Sequence, residues 1–310
     1  MRTPVAWTLA ALALVGLVLG AVVIGSRAAS SSADPVTSGA ECTVPLTGTS
    51  ADPADPAAVP VPVDLDAVQL QHASTINAVG MARALPERAR IIALATAYQE
   101  SQLRNLPDGD RDSVGLFQQR PSQGWGTVKQ ISDPIYAAGK FYDALLEVDG
   151  WQRMSLTAAA QAVQYSAFPD AYAKWEGEAG TLAEALGGGA PVQLSCRAGA
   201  QPPTADAPSR RALAGTADAP AKLKDVLAAA QAELGGLTVT DITGSTAVVA
   251  VTVRGTPAAT AGRALAAWAV AHSTGFGVVA VAVGDRNWAE HSWSPAVVTL
   301  PAGRVAISTS

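Results

Sequence analysis

Cysteine, histidine and charge are all scarce in this chain of 310 residues. It has two cysteines, three histidines and 15% charged residues, against about 25% charged in an ordinary soluble domain. Each shortage removes a class of chemistry. No cysteine follows Cys196, so the C-terminal region cannot supply the cysteine nucleophile of a papain-like peptidase. His72, His272 and His291 are too widely spaced to form the paired-histidine motif of a zinc endopeptidase. There is no GxSxG elbow and no phosphate loop. A net charge of −5 lacks the basic footprint that phosphate neutralisation requires, which argues against a nucleic-acid partner. Aromatic residues make up only 5%, yet 49% of the chain is hydrophobic and its mean hydropathy is +0.20. Alanine and valine therefore supply most of the apolar content.

Part of that content is concentrated at the N-terminus. Val5 to Ile24 is an uncharged apolar run of twenty residues between Arg2 and Arg27. A helix of that length spans about 30 Å, the thickness of a bilayer core. The run predicts a signal anchor over 1–27, placing the chain as a single-pass plasma-membrane protein with its bulk extracytoplasmic. The alternative is a cleaved signal, with Ser26-Arg27-Ala28 as a loose cleavage site and a secreted product. Either route leads to an oxidising compartment, where an even cysteine count points to a disulfide between Cys42 and Cys196. These two cysteines bracket the central segment and would act as a clasp on its entry and exit, worth at most about 5 kcal/mol in the chain-entropy view.

Composition divides the remainder. Residues 28–63 are rich in Ser, Ala, Asp and Pro, including ADPADP at Ala51 to Pro56, and read as a tether. Residues 64–186 read as an all-α domain, with starts at Asp64, Pro86, Asp133-Pro134, Ser155 or Thr157, and Pro169. Residues 187–219 open with three glycines and read as a linker. Residues 220–310 change period: a helix from Ala219, a hairpin turned at Gly244, a helix from Thr256-Pro257, and strands at Gly277–Val283, Ala296–Leu300 and Arg304–Ser308. This succession of a helix, a hairpin, a second helix and further strands predicts a small two-layer α+β domain, α-β-β-α-β-β in outline.

Glu100 is the residue most suited to chemistry. It follows the apolar run Ile91 to Tyr98 near the end of a helix that must be largely buried. Apolar surroundings and the negative end of the helix dipole both disfavour a carboxylate, so its pKa should rise. A carboxylic acid kept protonated near neutrality can donate to a glycosidic oxygen. Simple exposure in the last helical turn is the plainer alternative. Asp108, Asp110 and Asp112 are the nearby carboxylates that could activate water. Their alternation approaches a calcium loop, but Ser113 and Gln119 occupy the positions that need glycine and glutamate, so a surface turn is expected and no metal.

Glu100-Ser101, the GLFQ run at Gly115 to Gln118, the DPIYAAGKFYDALL helix and QAVQYSAFPDAYAKWE together resemble the lysozyme-like family of lytic transglycosylases and goose-type lysozymes. The match is closest to the lysozyme-like domains of exported Gram-positive cell-wall proteins, and it excludes the tether and the C-terminal domain. The resemblance implies Glu100 as the single general acid/base acting on a peptidoglycan glycan strand, with no cofactor. It implies that Ser101 supports the helix end or contacts sugar, that Gly115 lets backbone approach glycan, and that Gln118 offers its amide to an N-acetyl group. It places a cleft tyrosine at Tyr165, although the usual tyrosine-asparagine pair reads Tyr165-Ser166 here and Gln164 competes for the position.

Trp125, between Gly124 and Gly126, is either a sugar-stacking platform or a core anchor. In the C-terminal domain, Trp288 to Trp293 reads as an aromatic loop that either grips a protein or glycan partner or closes a small core. The expected function is a membrane-tethered peptidoglycan-cleaving enzyme, either transglycosylase or muramidase. The alternatives are a non-catalytic wall-binding component whose C-terminal domain recruits a protein, and a scaffold in an envelope-spanning machine.

Overall fold

Proline and aspartate set where the helices begin. The computed structural model describes residues 41–45, 61–165, 169–189, 191–196 and 213–310. The chain enters through β1 (Glu41–Val44) and β2 (Val63–Asp66) and turns into α1 (Ala67–Ala82). Asp66, rather than Asp64, caps this helix: its carboxylate accepts from the Gln69 backbone while the Gln69 side chain accepts from the Asp66 N–H. Such a reciprocal cap is worth about 1 kcal/mol. Pro86 precedes α2 (Glu87–Ser101), buried continuously from Ala89 to Tyr98. A loop carrying the short α3 (Val128–Ile131) leads to α4 (Pro134–Leu146), where Asp133 caps and Pro134 takes the first helical position. Ser155 caps α5 (Leu156–Gln164); a 3-10 segment over Pro169–Trp175 then feeds α6 (Glu176–Gly187).

The helical region is not all-α. After α6 the chain closes through β3 (Ser195–Cys196), and β1 lies between β2 and β3 in an antiparallel three-stranded sheet. Cys42 pairs in register with Cys196, and the two form the disulfide. The period-2 signal was present in Val63-Asp64-Leu65-Asp66, whose apolar members are buried. Four residues are too few to stand out against the neighbouring helix pattern. β1 falls within the Pro- and Ser-rich stretch read as a tether, because Cys42 and Val44 bury themselves completely.

The second lobe consists of α7 (Ala221–Glu233), β4 (Leu237–Thr243), β5 (Thr246–Val251), α8 (Ala258–Ala271), α9 (Ser273–Phe276), β6 (Val278–Val283), β7 (Arg286–Ala289), β8 (Ser292–Pro295) and β9 (Arg304–Thr309). Its six strands run antiparallel in the order β4-β5-β9-β6-β7-β8. Alternate residues of β5 and β9 are buried, and β6 alternates from Val281 after an irregularity near Val278, as expected for a sheet with helices on one face.

The expected α-β-β-α-β-β order is therefore corrected to one with a further hairpin, and Ala296–Leu300 is not a strand. The stretch read as an aromatic loop forms β7 and β8, joined by Glu290 and His291, both with positive φ. That is the twist a two-residue hairpin requires, adopted here without glycine. Trp288 is buried, and opposite it Trp293 donates its indole N–H to Leu194 O at 2.9 Å.

The two lobes pack directly: α8 lies against α1 and α6. Gly188 makes the approach feasible. At φ +72°, a Cβ there would sit 2.3 Å from Thr260 O and 2.7 Å from Ala264 N, so no other residue fits. Arg263 secures the seam by donating from Nε to Gly188 O at 2.8 Å.

The expected membrane anchor, Val5 to Ile24, lies outside the described residues. Among the described residues no helix is long and apolar enough to cross a membrane. The most buried helices are apolar because they pack in the protein core, and the longest, α1, runs only Ala67–Ala82. The transmembrane and single-pass plasma-membrane assignments thus find no support among the described residues.

Candidate functional site

The end of α2 is held in an unfavourable backbone conformation. Gln102 and Leu103, directly after Glu100-Ser101, have φ of 53° and 58°. Left-handed backbone costs a non-glycine residue about 1–2 kcal/mol. Several contacts hold it there. Leu103 is fully buried, its carbonyl meets His72 Nδ1 at 2.7 Å, and the Gln102 carbonyl accepts from Gln69 Nε2 at 3.0 Å. A carbonyl only accepts, so His72 carries its proton on Nδ1. Burial holds the His72 pKa below its ordinary value, which keeps the ring neutral. Strain sustained by surrounding contacts in this way is characteristic of functional sites.

Ser101 ties this helix end to the GLFQ turn. Its hydroxyl lies 2.7 Å from Leu116 O and 3.0 Å from Ala97 O, and the side chain is buried. Phe117 stacks on Phe141 of α4 with ring centroids 4.7 Å apart. Gly115 has φ +81°, and a Cβ there would meet Ile131 O at 2.8 Å, so glycine serves the packing of the turn against α3. Gln118 bends back into its own loop, donating to Gly115 O at 3.2 Å and lying against Gly109.

Glu100 is half-buried at this junction. The Tyr172 hydroxyl donates to Glu100 Oε1 at 2.7 Å. Gln164 also hydrogen-bonds the carboxyl, while its amide donates to Phe117 O at 2.8 Å. The resulting balance is specific. Burial pushes the Glu100 pKa above the usual carboxylate range, and the bonds from Tyr172 and Gln164 pull it partly back. Burial and hydrogen bonding thus act in opposite directions on this one carboxyl. Next to it, Tyr98 stacks on Trp175 at 4.7 Å, and the Trp175 indole donates to Gln99 Oε1 at 3.0 Å.

Tyr165 stands apart from this cluster. It ends α5 in the left-handed region and is 86% exposed, while Gln164, one position earlier, carries the contact to Glu100. The tyrosine that meets Glu100 is Tyr172, from the 3-10 segment Pro169–Trp175. Its neighbours in sequence, DAYAKW, carry no spacing signal that would distinguish it from Tyr165. Ser166 lies outside the described residues. Trp125 is half-buried against the core, with its carbonyl 3.2 Å from Tyr136 Oη.

Asp112 is committed elsewhere. It accepts from Arg120 Nε at 2.8 Å and from the Ser122 backbone and hydroxyl at 2.8 and 3.0 Å. These bonds hold its pKa well below the ordinary value. Asp108 and Asp110 are exposed on the same turn. Among the described residues no group of three or more His, Cys, Asp or Glu is placed to hold a metal ion. No family model matches the chain, and comparison with curated proteins finds no match.

Proposed function

We propose that this protein cleaves the glycan strand of peptidoglycan, with Glu100 as the single acid/base. The observation that carries the reading is the Glu100 carboxyl itself: half-buried at a strained helix end, raised in pKa by burial and oriented by the neutral donors Tyr172 and Gln164. The resemblance of the Glu100-Ser101 and GLFQ segments to lytic transglycosylases and goose-type lysozymes supplies the substrate class.

In the first step protonated Glu100 gives its proton to the glycosidic oxygen as the bond from that oxygen to the anomeric carbon breaks. The positive charge developing on the sugar then needs a nucleophile. A hydrolase would place a second carboxylate about 5–9.5 Å from the acid. Asp112 is engaged by Arg120 and Ser122, which favours the other course. There the substrate's own acetamido oxygen bonds the anomeric carbon. Glu100, now a carboxylate, next takes the proton from a hydroxyl of the same sugar as it displaces the acetamido group, leaving an anhydro-sugar end. No cofactor enters this scheme.

Glu100→Gln assayed on purified cell wall tests the reading. Muropeptide release should fall at least about 100-fold, the lower range for a general acid/base. Unchanged release would refute it. Mass analysis of wild-type products separates the two courses, because an anhydro end weighs one water less than a hydrolysed end. Wild-type protein that binds sacculi without releasing soluble product would instead favour a wall-binding role.

A further inference from the structure

A cleft of about 280 Å³ opens on the second lobe, away from the residues around Glu100. Its walls are the turn after β6, the start of α8, the segment before β9 and residues 191–192. Most of the lining is small and apolar: Val192, Ala259, Val283, Leu300 and Ala302. The charged members are Arg263, Arg286 and Asp285. Arg263 spends Nε on Gly188 O and one terminal nitrogen on Thr260 Oγ1. Arg286 differs, because its Nε is buried and has no hydrogen-bond partner. A buried donor left unmet costs about 1–3 kcal/mol, a cost that an arriving acceptor relieves. Two arginines against the single, exposed Asp285 leave the lining with a net positive charge.

The walls are firmly built. Leu300 N donates to Gly284 O at 2.8 Å and Ala296 N to Asp285 O at 2.7 Å, joining the turn after β6 to the segment before β9. That same segment leaves Val297 and Val298 exposed, at 102% and 70%. The two valines shortly precede Leu300 of the lining in the chain, so the segment that walls the cleft also offers exposed apolar surface, which suits a chain-like ligand rather than a bare ion.

We propose that this cleft binds the C-terminal carboxylate of a peptide ending in small apolar residues. The carboxylate would accept from the Arg286 guanidinium, including its unmet Nε, in the paired geometry that favours arginine for carboxylates. The terminal side chain would rest against Val283 and Leu300, and the preceding residue would lie towards Val297 and Val298. Small side chains are required, since the volume lies at the lower limit for ligand pockets, about 300 Å³.

The test uses the full chain and titration calorimetry with N-acetyl-Ala-Ala, its C-terminal carboxamide and acetate. The dipeptide acid should bind, with the carboxamide at least about tenfold weaker, because a charge-assisted bond is roughly twice as strong as a neutral one. Acetate should fail to compete at equal concentration. Arg286→Gln should lower affinity for the acid at least tenfold and abolish the preference over the carboxamide. Ala302→Phe, an exposed change that fills the cleft, should lower affinity for acid and carboxamide alike. Equal binding of acid and carboxamide, competition by acetate, undiminished binding by Ala302→Phe, or no binding at millimolar dipeptide would each overturn the proposal.

Discussion

Each lobe withdraws a glutamate from water, and the two are treated differently. Glu233, in the second lobe, is 2% exposed and accepts from the Trp268 indole at 2.7 Å, with His272 Nε2 3.6 Å away. It is sealed beneath α8 and can reach no ligand. Glu100 is only half-buried, is met by a hydroxyl and an amide rather than an imidazole, and sits on backbone that is itself strained. Burial alone therefore does not make a carboxyl functional. What sets Glu100 apart is its partial exposure, which the proposed acid/base role requires.

Replacing each glutamate by glutamine gives the sharpest contrast. Glu100→Gln should remove glycan cleavage and raise the melting temperature at neutral pH. The sign follows from its raised pKa: the fold favours the protonated form, so stability is lost as pH climbs from the ordinary carboxylate range through the folded value. An uncharged amide avoids that loss. Glu233→Gln should leave cleavage by folded protein intact and cost about 1–3 kcal/mol of stability, since the Trp268 and His272 contacts lose their carboxylate. Thermal melts together with muropeptide release measure both. A Glu233 variant that folds normally yet loses activity would break the distinction.

A smaller effect is expected from Tyr172→Phe, which keeps the ring and removes the donor to Glu100. The carboxylate loses a stabilising bond, so the pKa rises further. For an acid that must start protonated, the alkaline limb of the kcat/KM profile should move to higher pH. A limb that stays in place would show that Tyr172 does not tune the acid.

The smallest effect concerns His72, which braces the Leu103 carbonyl from α1. Its pKa is lowered mainly by burial and by nearby His272, against opposing influences from Leu103 O, Asp66 and Glu233. Its neutral form contributes fully above its ordinary pKa, and that contribution is lost as pH falls below it. Wild-type melting temperature should thus drop more steeply between about pH 7 and 5.5 than that of His72→Gln, which retains a donor for Leu103. Equal slopes would place the titration elsewhere.

Local chemistry explains why so much of the fold was legible. Pro86, Asp133-Pro134, Ser155 and Pro257 each stand where a helix begins, because capping and a fixed φ act within a few residues. Glu100 stood out for a similar reason, as an acidic residue following an apolar run. The strand at Glu41–Val44 was not legible, since its stability comes from partners at Val63–Asp66 and Ser195–Cys196 rather than from its own four residues. The tyrosine beside Glu100 is Tyr172 rather than Tyr165, because the two look equivalent until the turn between them is folded.

The order of residues by itself determined most of the helix starts, the strands β4, β5, β6 and β9, the pairing of the two cysteines and the choice of Glu100 as candidate. Tertiary structure alone decided that Tyr172, 72 positions from Glu100, and Gln164 are its partners. It also decided that β9 lies at the centre of the sheet and that α8 closes on Gly188. The physical reason is range. Caps, φ preferences and hydrophobic period act over a turn or two, whereas the surroundings that set a carboxyl's pKa are assembled from segments that meet only when the core closes.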